Sequence, residues 1–267
     1  MKILSMCNQK GGVGKTTSTV NIAAALAEFG KKVLLIDMDP QGNAGSGLGL
    51  NKYRIEKSIY HALIGESSLK QVIRKTDFEN VYIAPSNRDL IGAEVELISA
   101  FARENKLKNA LVDVADEFDY ILIDCPPSLN LLTVNALTAS DAVIIPVQCE
   151  YYALEGISEL VHTIELIKEN LNKDLIIGGI VLTMYDSRNN LAHQVVSEVK
   201  EHFKDKAFNT LIPRNVKLSE SPSHGLPIQV YDTKSKGAET YRSLTEELIA
   251  RAELPSKKGL ILIHNEI

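Results

Sequence analysis

Short apolar runs alternate with longer segments of helical periodicity along most of this chain. Apolar runs bounded by turn residues are typical of buried strands, whereas apolar residues spaced three and four apart indicate helices. The pattern predicts strands over residues 3–6, 32–36, 81–84, 120–123, 142–147, 176–183 and 210–212. It predicts helices over residues 16–29, which end at Gly30, and over about 89–112, 130–138, 153–171, 190–203 and 236–252.

Helices separate most of the predicted strands, and several strands are apolar on both faces. This pattern favours an α/β fold with a mainly parallel sheet covered by helices on both faces. A chain of 267 residues, 45% of them hydrophobic, is long enough for one large domain. We expect that domain over residues 1–253, followed by a C-terminal tail over 254–267.

Two loops follow predicted strands and are rich in turn residues: "DPQGNAGSGLGLNKY" at 39–53 and "PRNVKLSESPSHGLPIQVYD" at 213–232. In open α/β sheets, ligands bind beyond the carboxyl ends of the strands. Both loops are therefore predicted to be functional, although a plain connection is the usual role of such a segment.

Bulk charge and cysteine content narrow the function classes. The formal net charge of −5 does not suggest a general nucleic-acid coat protein, so any DNA binding has to rely on a local basic face. Cys7, Cys125 and Cys149 form no CxxC motif, which favours a reducing compartment. No leader-like or membrane-length apolar run is present, and a cytoplasmic protein is expected.

The run "KGGVGKTT" at 10–17 is nearly a P-loop. The pattern G-x-x-x-x-G-K-[ST] requires a glycine at position 9, where this chain has Gln9, and the chain carries an extra lysine at Lys10. The run follows a predicted strand and opens a predicted helix, which is the context of a phosphate-binding loop. A nucleotide site is therefore predicted.

The residues of this run suit that chemistry. Gly11, Gly12 and Gly14 allow the backbone to approach an oxyanion, and the N–H groups from 12 to 17 lie at the positive end of the following helix. Lys15 is expected to neutralise the β and γ phosphates, and the Thr16 hydroxyl to ligate Mg²⁺.

Acidic residues end two of the predicted strands. Asp124 in "YILIDCPP" has the form of a Walker B aspartate that holds Mg²⁺ through water. Asp37 and Asp39 in "LLIDMDPQGN" are two residues apart, so an extended segment directs both carboxylates to one side, toward the phosphates. One of them is expected to position the attacking water and the other to support the metal.

Together, "KGGVGKTT", "LLIDMDPQGNA", "YILIDCPPS" and "IPRNVKLSESPSHGLPI" resemble the ParA/Soj partition ATPases of the deviant Walker A (MinD/ParA) class. The resemblance covers about residues 1–250. It implies that Lys10 is the signature lysine, which reaches across a dimer interface to the nucleotide of the partner subunit. A cation supplied in trans stabilises phosphoryl-transfer charge as an arginine finger does.

The resemblance also implies roles for other residues. Asp39 positions the hydrolytic water, Pro213 and Asn215 contact the adenine, and Arg188 and Lys217 contact DNA. At position 217 the Soj-like relatives place an arginine, so lysine keeps the charge but loses the bidentate fork. Lys204, Lys206, Arg214, Lys234 and Lys236 are candidates for an extension of this basic patch. The implied sites are catalytic Lys10, Lys15 and Asp39; nucleotide-binding Lys10, Gly11, Gly12, Val13, Gly14, Lys15, Thr16, Thr17, Pro213 and Asn215; and metal-binding Thr16, Asp37 and Asp124.

The expected function is ATP-dependent DNA partitioning, with ATP and Mg²⁺ as cofactors. The implied partners are a second copy of the chain, nonspecific double-stranded DNA and a ParB/Spo0J-like centromere-binding protein, in a cytoplasmic, nucleoid-associated setting. No membrane partner is expected.

Three alternatives remain open at this stage. A MinD-like membrane-cycling ATPase needs a basic amphipathic tail, and "SKKGLILIHNEI" offers two lysines before only four apolar residues. A redox protein similar to the nitrogenase iron protein needs bridging cysteines, whereas Cys7 and Cys125 are expected to be packed in or beside strands. A metabolic synthetase with a P-loop needs a further substrate pocket, which the sequence does not locate.

Overall fold

The computed structural model describes residues 2–150 and 155–253. Its strands are β1 (Ile3–Met6), β2 (Val33–Asp37), β3 (Arg74–Lys75), β4 (Val81–Ala84), β5 (Tyr120–Asp124), β6 (Ala142–Gln148) and β7 (Ile176–Thr183). They form one sheet in the order β3-β4-β2-β5-β1-β6-β7. All neighbouring pairs are parallel except β3 and β4.

The helices connect and cover these strands. They are α1 (Lys15–Glu28), α2 (Asn43–Gly47), α3 (Ile59–Ile64), α4 (Leu69–Val72), α5 (Leu90–Glu96), α6 (Lys106–Leu111), α7 (Leu131–Ala139), α8 (Glu155–Asn170), α9 (Asn190–Phe203), α10 (Val216–Glu220), α11 (Ile228–Tyr231) and α12 (Lys236–Glu253).

The core lies on both faces of the sheet. Side chains alternate along each strand, so Val33 and Leu35 of β2 pack with α1, α10, α11 and α12, while Leu34 and Ile36 pack on the opposite face. That opposite face is covered by helices α3 to α9. Because both faces are covered, all five residues of β2 are buried, which explains the continuous apolar runs. The predicted mainly parallel, two-sided α/β fold is confirmed.

The predicted strand over 210–212 is wrong. The chain around it forms two isolated bridges: Ala207 pairs with Ile180 of β7, and Pro213, which has no N–H, pairs with Tyr185 just after β7. Between those bridges, the N–H groups of Asn209 and Thr210 bond to the carboxylate of Glu247 on α12, at 2.9–3.1 Å. A long-range side chain therefore replaces the ladder that the apolar pattern predicted.

The single helix predicted over about 89–112 is also wrong, because α5 and α6 are separate. Ala102 between them has φ 49°, a conformation that ends a helix. The buried amide of Asn135 on α7 stabilises the break: it accepts from Leu107 N–H at 3.1 Å and donates to the Arg103 carbonyl at 2.8 Å. No Gly or Pro in the sequence marks this break.

The remaining predicted helices agree with α1, α7, α8, α9 and α12, except that residues 153–154 lie outside the described residues. The short elements α2, α3, α4, β3, α10 and α11 were not predicted. The tail 254–267 also lies outside the described residues. Among the helices that are described, none has the length and apolar character needed to span a membrane.

Replacing Asn135 with Ala is expected to destabilise the fold. The change leaves the Leu107 N–H and the Arg103 carbonyl without a partner, at a cost of about 2 kcal/mol or more in unfolding free energy. Urea unfolding measures this loss. Asn109→Ala on the exposed face of α6 is the matched control, and equal midpoints for the two variants would show that Asn135 does not hold the break.

Candidate functional site

The glycine-rich loop joins β1 to the first turn of α1. Gly12 and Gly14 have φ 76° and 91°, values that L side chains rarely adopt, and Gly14 is the N-cap of α1. The loop is attached to the sheet through Val13, whose carbonyl accepts a 2.8 Å bond from Thr183 Oγ1 at the end of β7. The positive end of α1 is therefore fixed at the carboxyl edge of the sheet.

The outer side of this loop is open. A Cβ added at Gly11 or Gly12 meets no heavy atom within 4 Å. Lys15 lies inside the loop at 7% exposure, and its Nζ donates to the Lys10 carbonyl at 3.1 Å. Burial lowers the pKa of Lys15, and the nearby carboxylate of Asp124 opposes that shift. The loop thus has an open concave backbone with one buried cation at its base.

Asp124 is the last residue of β5 and lies between two other strand ends. It is in register with Met6 of β1 and with Asp37 of β2. Its Oδ2 accepts from Thr16 Oγ1 at 2.7 Å and its Oδ1 from Thr19 Oγ1 at 3.1 Å. Thr16 and Asp124, each predicted as a magnesium residue, therefore lie side by side in the fold. Thr19 was missed, although it lies three residues after Thr16 on the same helix face.

Asp37 and Asp39 have different surroundings. Asp37 is fully buried, and its oxygens accept from the N–H groups of Asp39, Ala44 and Gly45 at 3.1–3.2 Å. Asp39 is 8% exposed, and its Oδ1 accepts from Gln41 N–H at 2.9 Å. Asp37 thus stabilises the turn into α2 through its backbone hydrogen bonds, and Asp39 lies nearer the surface.

These carboxylates create an excess of negative charge. Burial raises the pKa of Asp124 to about 7, with the charge of Asp39 adding to the rise. Burial, with the charge of Asp124, also raises the pKa of Asp37 well above its usual range. A divalent cation would relieve this repulsion.

No group of three His, Cys, Asp or Glu side chains in residues 2–150 and 155–253 is arranged to hold a metal by itself. Mg²⁺ commonly keeps several waters and is bound by one or two carboxylates together with substrate phosphates. The Thr16 and Asp124 pair beside an open phosphate loop fits that mode.

Lys10 points away from the loop interior. Its side chain is 44% exposed, and its Nζ lies 3.6 Å from Glu150 Oε2. Arg214 lies 3.8 Å from the other oxygen, Glu150 Oε1. Glu150 was missed by the sequence analysis, because nothing in its local pattern distinguishes it from an ordinary surface carboxylate. Lys10 and Lys15 are therefore in unlike positions, one exposed and one buried.

The segment of Pro213 and Asn215 lies beside the end of β7. Tyr185 N–H donates to the Ile212 carbonyl at 3.0 Å, and Arg214 N–H donates to the Tyr185 carbonyl at 2.9 Å. The Asn215 side chain caps α10 by accepting from Lys217 N–H at 2.8 Å. The second predicted functional loop is thus at the same edge of the sheet as the phosphate loop.

The two Gly- and Pro-rich loops also meet each other. A Cβ on Gly225 would lie 2.8 Å from the Cα of Gly49, and both glycines have positive φ. Between the loops is a cleft of about 440 Å³ beside Thr16 and Thr17, with Lys52 and Ser221 also on its wall. Both loops therefore border the start of α1.

The two predicted DNA-binding residues are exposed, and each contacts a carboxylate. Arg188 Nε and Nη2 donate to Asp186 at 3.0 and 2.8 Å, which holds the pKa of Asp186 well below its usual range. Lys217 Nζ donates to Glu220 at 3.0 Å. Both residues follow segments that border the end of β7, so the fold places them at one edge.

The candidate extension of this patch is divided. Lys204 and Lys206 follow the last turn of α9, whereas Arg188 precedes its first turn, and 14 residues of helix span about 21 Å. Arg214 lies beside Glu150, Lys236 pairs with Glu239 at 3.0 Å, and Lys234 is exposed. Lys204 and Lys206 therefore lie at the far end of α9 from Arg188.

All three cysteines are buried and free. Cys7 directly follows β1 rather than lying within it, and Cys125 directly follows Asp124. Burial raises the pKa of Cys149 to about 12, while the contact with Cys7 and then burial raise the pKa of Cys125. Buried thiols of this kind are packed side chains and not exposed bridging ligands.

Comparisons with known proteins agree with this geometry. A family model described as an AAA domain matches residues 1–177. The chain is 55% identical over 249 residues to the sporulation initiation inhibitor protein Soj of Bacillus subtilis (strain 168), covering 93% of this chain and 98% of that protein. It is 55% identical over 250 residues to the chromosome partitioning protein ParA of Myxococcus xanthus (strain DK1622), covering 94% and 88%.

A solved structure is also similar along most of the chain. It is cobyrinic acid a,c-diamide synthase from Mycobacterium smegmatis with bound ADP and magnesium, with a TM-score of 0.84 and 36% identity, covering 95% of this chain and 96% of that one.

Replacing Asp124 with Asn is expected to stabilise the metal-free, nucleotide-free protein at alkaline pH. The pKa of Asp124 is raised from 3.8 to about 7, so the stability gained from its protonation is complete below 3.8 and is lost as the pH rises through about 7. In EDTA at pH 8, the variant should therefore have a higher melting temperature than wild type, corresponding to about a few kcal/mol of unfolding free energy. The difference in melting temperature between variant and wild type should be smaller at pH 5. Asp113→Asn, at an exposed carboxylate, is the control. If the difference in melting temperature between Asp124→Asn and wild type is the same at pH 5 and pH 8, the raised pKa of Asp124 is contradicted.

Proposed function

This chain belongs to the ParA/Soj partition ATPases of the deviant Walker A class, and we propose that it works as an ATP-driven DNA-segregation switch. In this proposal ATP brings two subunits together, the dimer binds DNA without sequence preference, and a centromere-binding partner stimulates hydrolysis and release. The main support is the contrast between a buried Lys15 inside the phosphate loop and an exposed Lys10 outside it.

The chain is an ATPase that uses Mg²⁺. Lys15 and the N–H groups of the loop would bind the phosphates, and Thr16 with Asp124 would hold the metal, supported by Asp37. Held by these residues, Mg²⁺ would neutralise negative charge on the phosphates. The position of Asp124 supports this assignment, because burial and then the charge of Asp39 raise its pKa, and a bound cation would stabilise the ionised carboxylate.

Asp39 is the proposed positioning residue for the attacking water. It is the least buried of the three carboxylates and lies at the start of the loop that borders the phosphate site. A carboxylate that orients a nucleophilic water contributes on the order of 10²-fold or more to the rate. Asp37 is less suited to this role, since both of its oxygens already accept backbone N–H groups.

The position of Lys10 supports the proposed dimer. Its ammonium is exposed and 3.6 Å from Glu150, so it does not neutralise phosphates in its own loop in this arrangement. Gly11 adds no side chain on the open face of the loop, which leaves room for close approach of a second subunit. A lysine presented outward suits a contact in trans.

The proposed DNA contacts are Arg188 and Lys217. Both are exposed at the β7 edge of the sheet. Each forms an ion pair with a carboxylate at the surface, and ion pairs of this kind contribute little to folding free energy. Phosphate oxygens can therefore displace those partners at small cost. Because the net charge is −5, doubling these contacts by dimerisation would matter for affinity.

Pro213 and Asn215 are the proposed adenine contacts. Their segment lies at the end of β7, whose Thr183 bonds to the phosphate loop, so a base beside them is within reach of a nucleotide held by that loop.

The alternatives receive less support. The segment that would bind a membrane lies in 254–267, outside the described residues. The similar synthase structure is 36% identical, whereas the partition proteins are 55% identical along nearly the whole chain. The partition role is therefore favoured over a synthetase.

Lys10→Ala and Lys15→Ala should separate two functions. Lys15→Ala removes the buried cation and should abolish tight ATP binding. Lys10→Ala should keep ATP binding but lose ATP-dependent dimerisation and stimulated hydrolysis, because its ammonium lies outside the loop. Isothermal titration and light scattering measure both. An ATP-dependent dimer formed by Lys10→Ala would remove the proposed role in trans.

Changing Arg188 and Lys217 together to Ala should weaken DNA binding without affecting the dimer. Four phosphate contacts per dimer at about 0.9 each predict a salt slope shallower by up to about 3.6 units. Filter binding to unrelated duplexes over a salt series measures it, with light scattering as the check on dimerisation. The double variant Lys204→Ala with Lys206→Ala, at the other end of α9, is the matched control. If wild type and the Arg188/Lys217 variant have the same salt slope, the DNA-binding surface does not include these two residues.

A further inference from the structure

An exposed apolar stripe follows α5 and the turn after it. Ile91, Val95, Ile98 and Phe101 are 59%, 68%, 62% and 94% exposed. Spacings of four and three residues put the first three on one face, while the opposite face, with Leu90 and Leu97, is buried in the core. Contiguous exposed apolar surface usually marks an interaction site.

A groove lies at the end of this stripe. It has a volume of about 330 Å³ and lies between the end of α5 and the start of α7. Its apolar lining includes Ile98, Leu129, Leu131 and Val134. Its charged lining is Glu94, Glu104 and the cation Arg103, so carboxylates outnumber cations by two to one. An apolar surface bordered by carboxylates is complementary to a segment that carries both apolar and cationic side chains.

The two carboxylates of the groove differ in their partners. Glu104 accepts from Arg103 Nε at 2.9 Å, and Arg103 also donates to the Ile98 carbonyl at 2.7 Å. Glu94 forms no ion pair with any residue in the described part of the chain, although Asn130 Nδ2 donates to it. Partial burial raises the pKa of Glu94, which is the behaviour of a carboxylate without a compensating cation. Glu94 is therefore the position where a cation from outside is best accommodated.

The groove is connected to the ATPase site through a short loop. Asn130 caps α7 by accepting from Thr133 N–H at 3.3 Å, and Thr133 Oγ1 donates to the Ser128 carbonyl at 2.6 Å. This loop, residues 125–130, begins directly after Asp124. A change in the contact between Glu94 and Asn130 therefore acts on the chain six residues from Asp124, the proposed metal-site carboxylate.

We propose that this groove binds the segment of the partner protein that stimulates ATP hydrolysis. The segment is a short amphipathic helix whose apolar side chains cover Val95 and Ile98 and whose lysine or arginine pairs with Glu94. The assignment rests on the proposed function, since it takes partner-stimulated hydrolysis as given. The incoming cation competes with Asn130 for the Glu94 carboxylate and frees the 125–130 loop to move beside Asp124.

The probe is a fluorescein-labelled Leu/Lys peptide of about 15 residues, or roughly four helical turns, with its leucines on one face. A scrambled Leu/Lys peptide and a Leu/Glu peptide of the same pattern are the matched probes. Fluorescence anisotropy at physiological salt, without nucleotide or DNA, measures binding. Only the patterned Leu/Lys peptide should bind wild type, and it should raise the rate of ATP hydrolysis.

Two replacements test the groove directly. Ile98→Ser and Glu94→Gln should each weaken peptide binding about tenfold or more and abolish the stimulation, with basal hydrolysis unchanged. Gln keeps an oxygen that accepts from Asn130, so the loss in that variant reports the charge. Ile176→Ser, at the exposed amino end of the edge strand β7, is the control and should behave as wild type.

Several outcomes would overturn the assignment. The first is peptide binding that survives both groove replacements, and the second is equal binding of the Leu/Glu peptide. The third is a nucleotide-free dimer of wild type, seen by sedimentation, that the Ile98→Ser variant does not form. That result would assign the stripe to a second copy of the chain. ATP-dependent DNA retention by wild type is measured in parallel. If wild type binds the peptide but shows no ATP-dependent DNA retention, the proposed function is contradicted and the groove is not. If wild type retains DNA with ATP but does not bind the peptide, the groove is contradicted and the proposed function is not.

Discussion

The hydrogen bond between Thr16 Oγ1 and Asp124 joins the two parts of the molecule on which the site depends. It links the first turn of α1 to the end of β5, and it forms because β1 lies directly beside β5 in the sheet. The same arrangement brings Asp37 of β2 into register with Asp124. The order of the strands therefore concentrates buried carboxylates beside a buried lysine. Burial raises the pKa of Asp124 and lowers that of Lys15, so the charged form of each is costly there unless opposite charges are close by.

Outside that cluster, the three cations that we propose as phosphate contacts share a common feature. Lys10 lies near Glu150, Arg188 pairs with Asp186 and Lys217 pairs with Glu220. These pairs are exposed, so they contribute little to stability and can be exchanged for phosphate oxygens.

The loops beyond the strand ends connect these sites. Asp37 accepts N–H groups from the turn into α2, and the loop containing Gly49 contacts Gly225 of the second functional loop. The loop after Asp124 reaches Asn130 and, through it, Glu94. Through these contacts, the loops after Asp37 and Asp124 connect carboxylates of the candidate site to Gly225 and to Glu94.

Much of the fold and of the site was predictable from local patterns. Fully covered parallel strands produce continuous apolar runs, so β1, β2 and the strands from β4 to β7 followed from the sequence, whereas β3 did not. A P-loop has a fixed spacing before a helix, so α1 and the positions of Lys15 and Thr16 followed as well. The unusual lysine at position 10 was visible for the same reason.

Other features depended on contacts between residues far apart in sequence. Glu247 took the N–H groups of a predicted strand, and Asn135 divided a predicted helix, at separations that no periodicity detects. Likewise, Thr19 as a second donor to Asp124, Glu150 beside Lys10 and Glu94 beside Asn130 exist only because the fold brings their elements together. Local sequence encodes periodicity and motif spacing, whereas a polar partner supplied from a distant element is decided only by the tertiary structure.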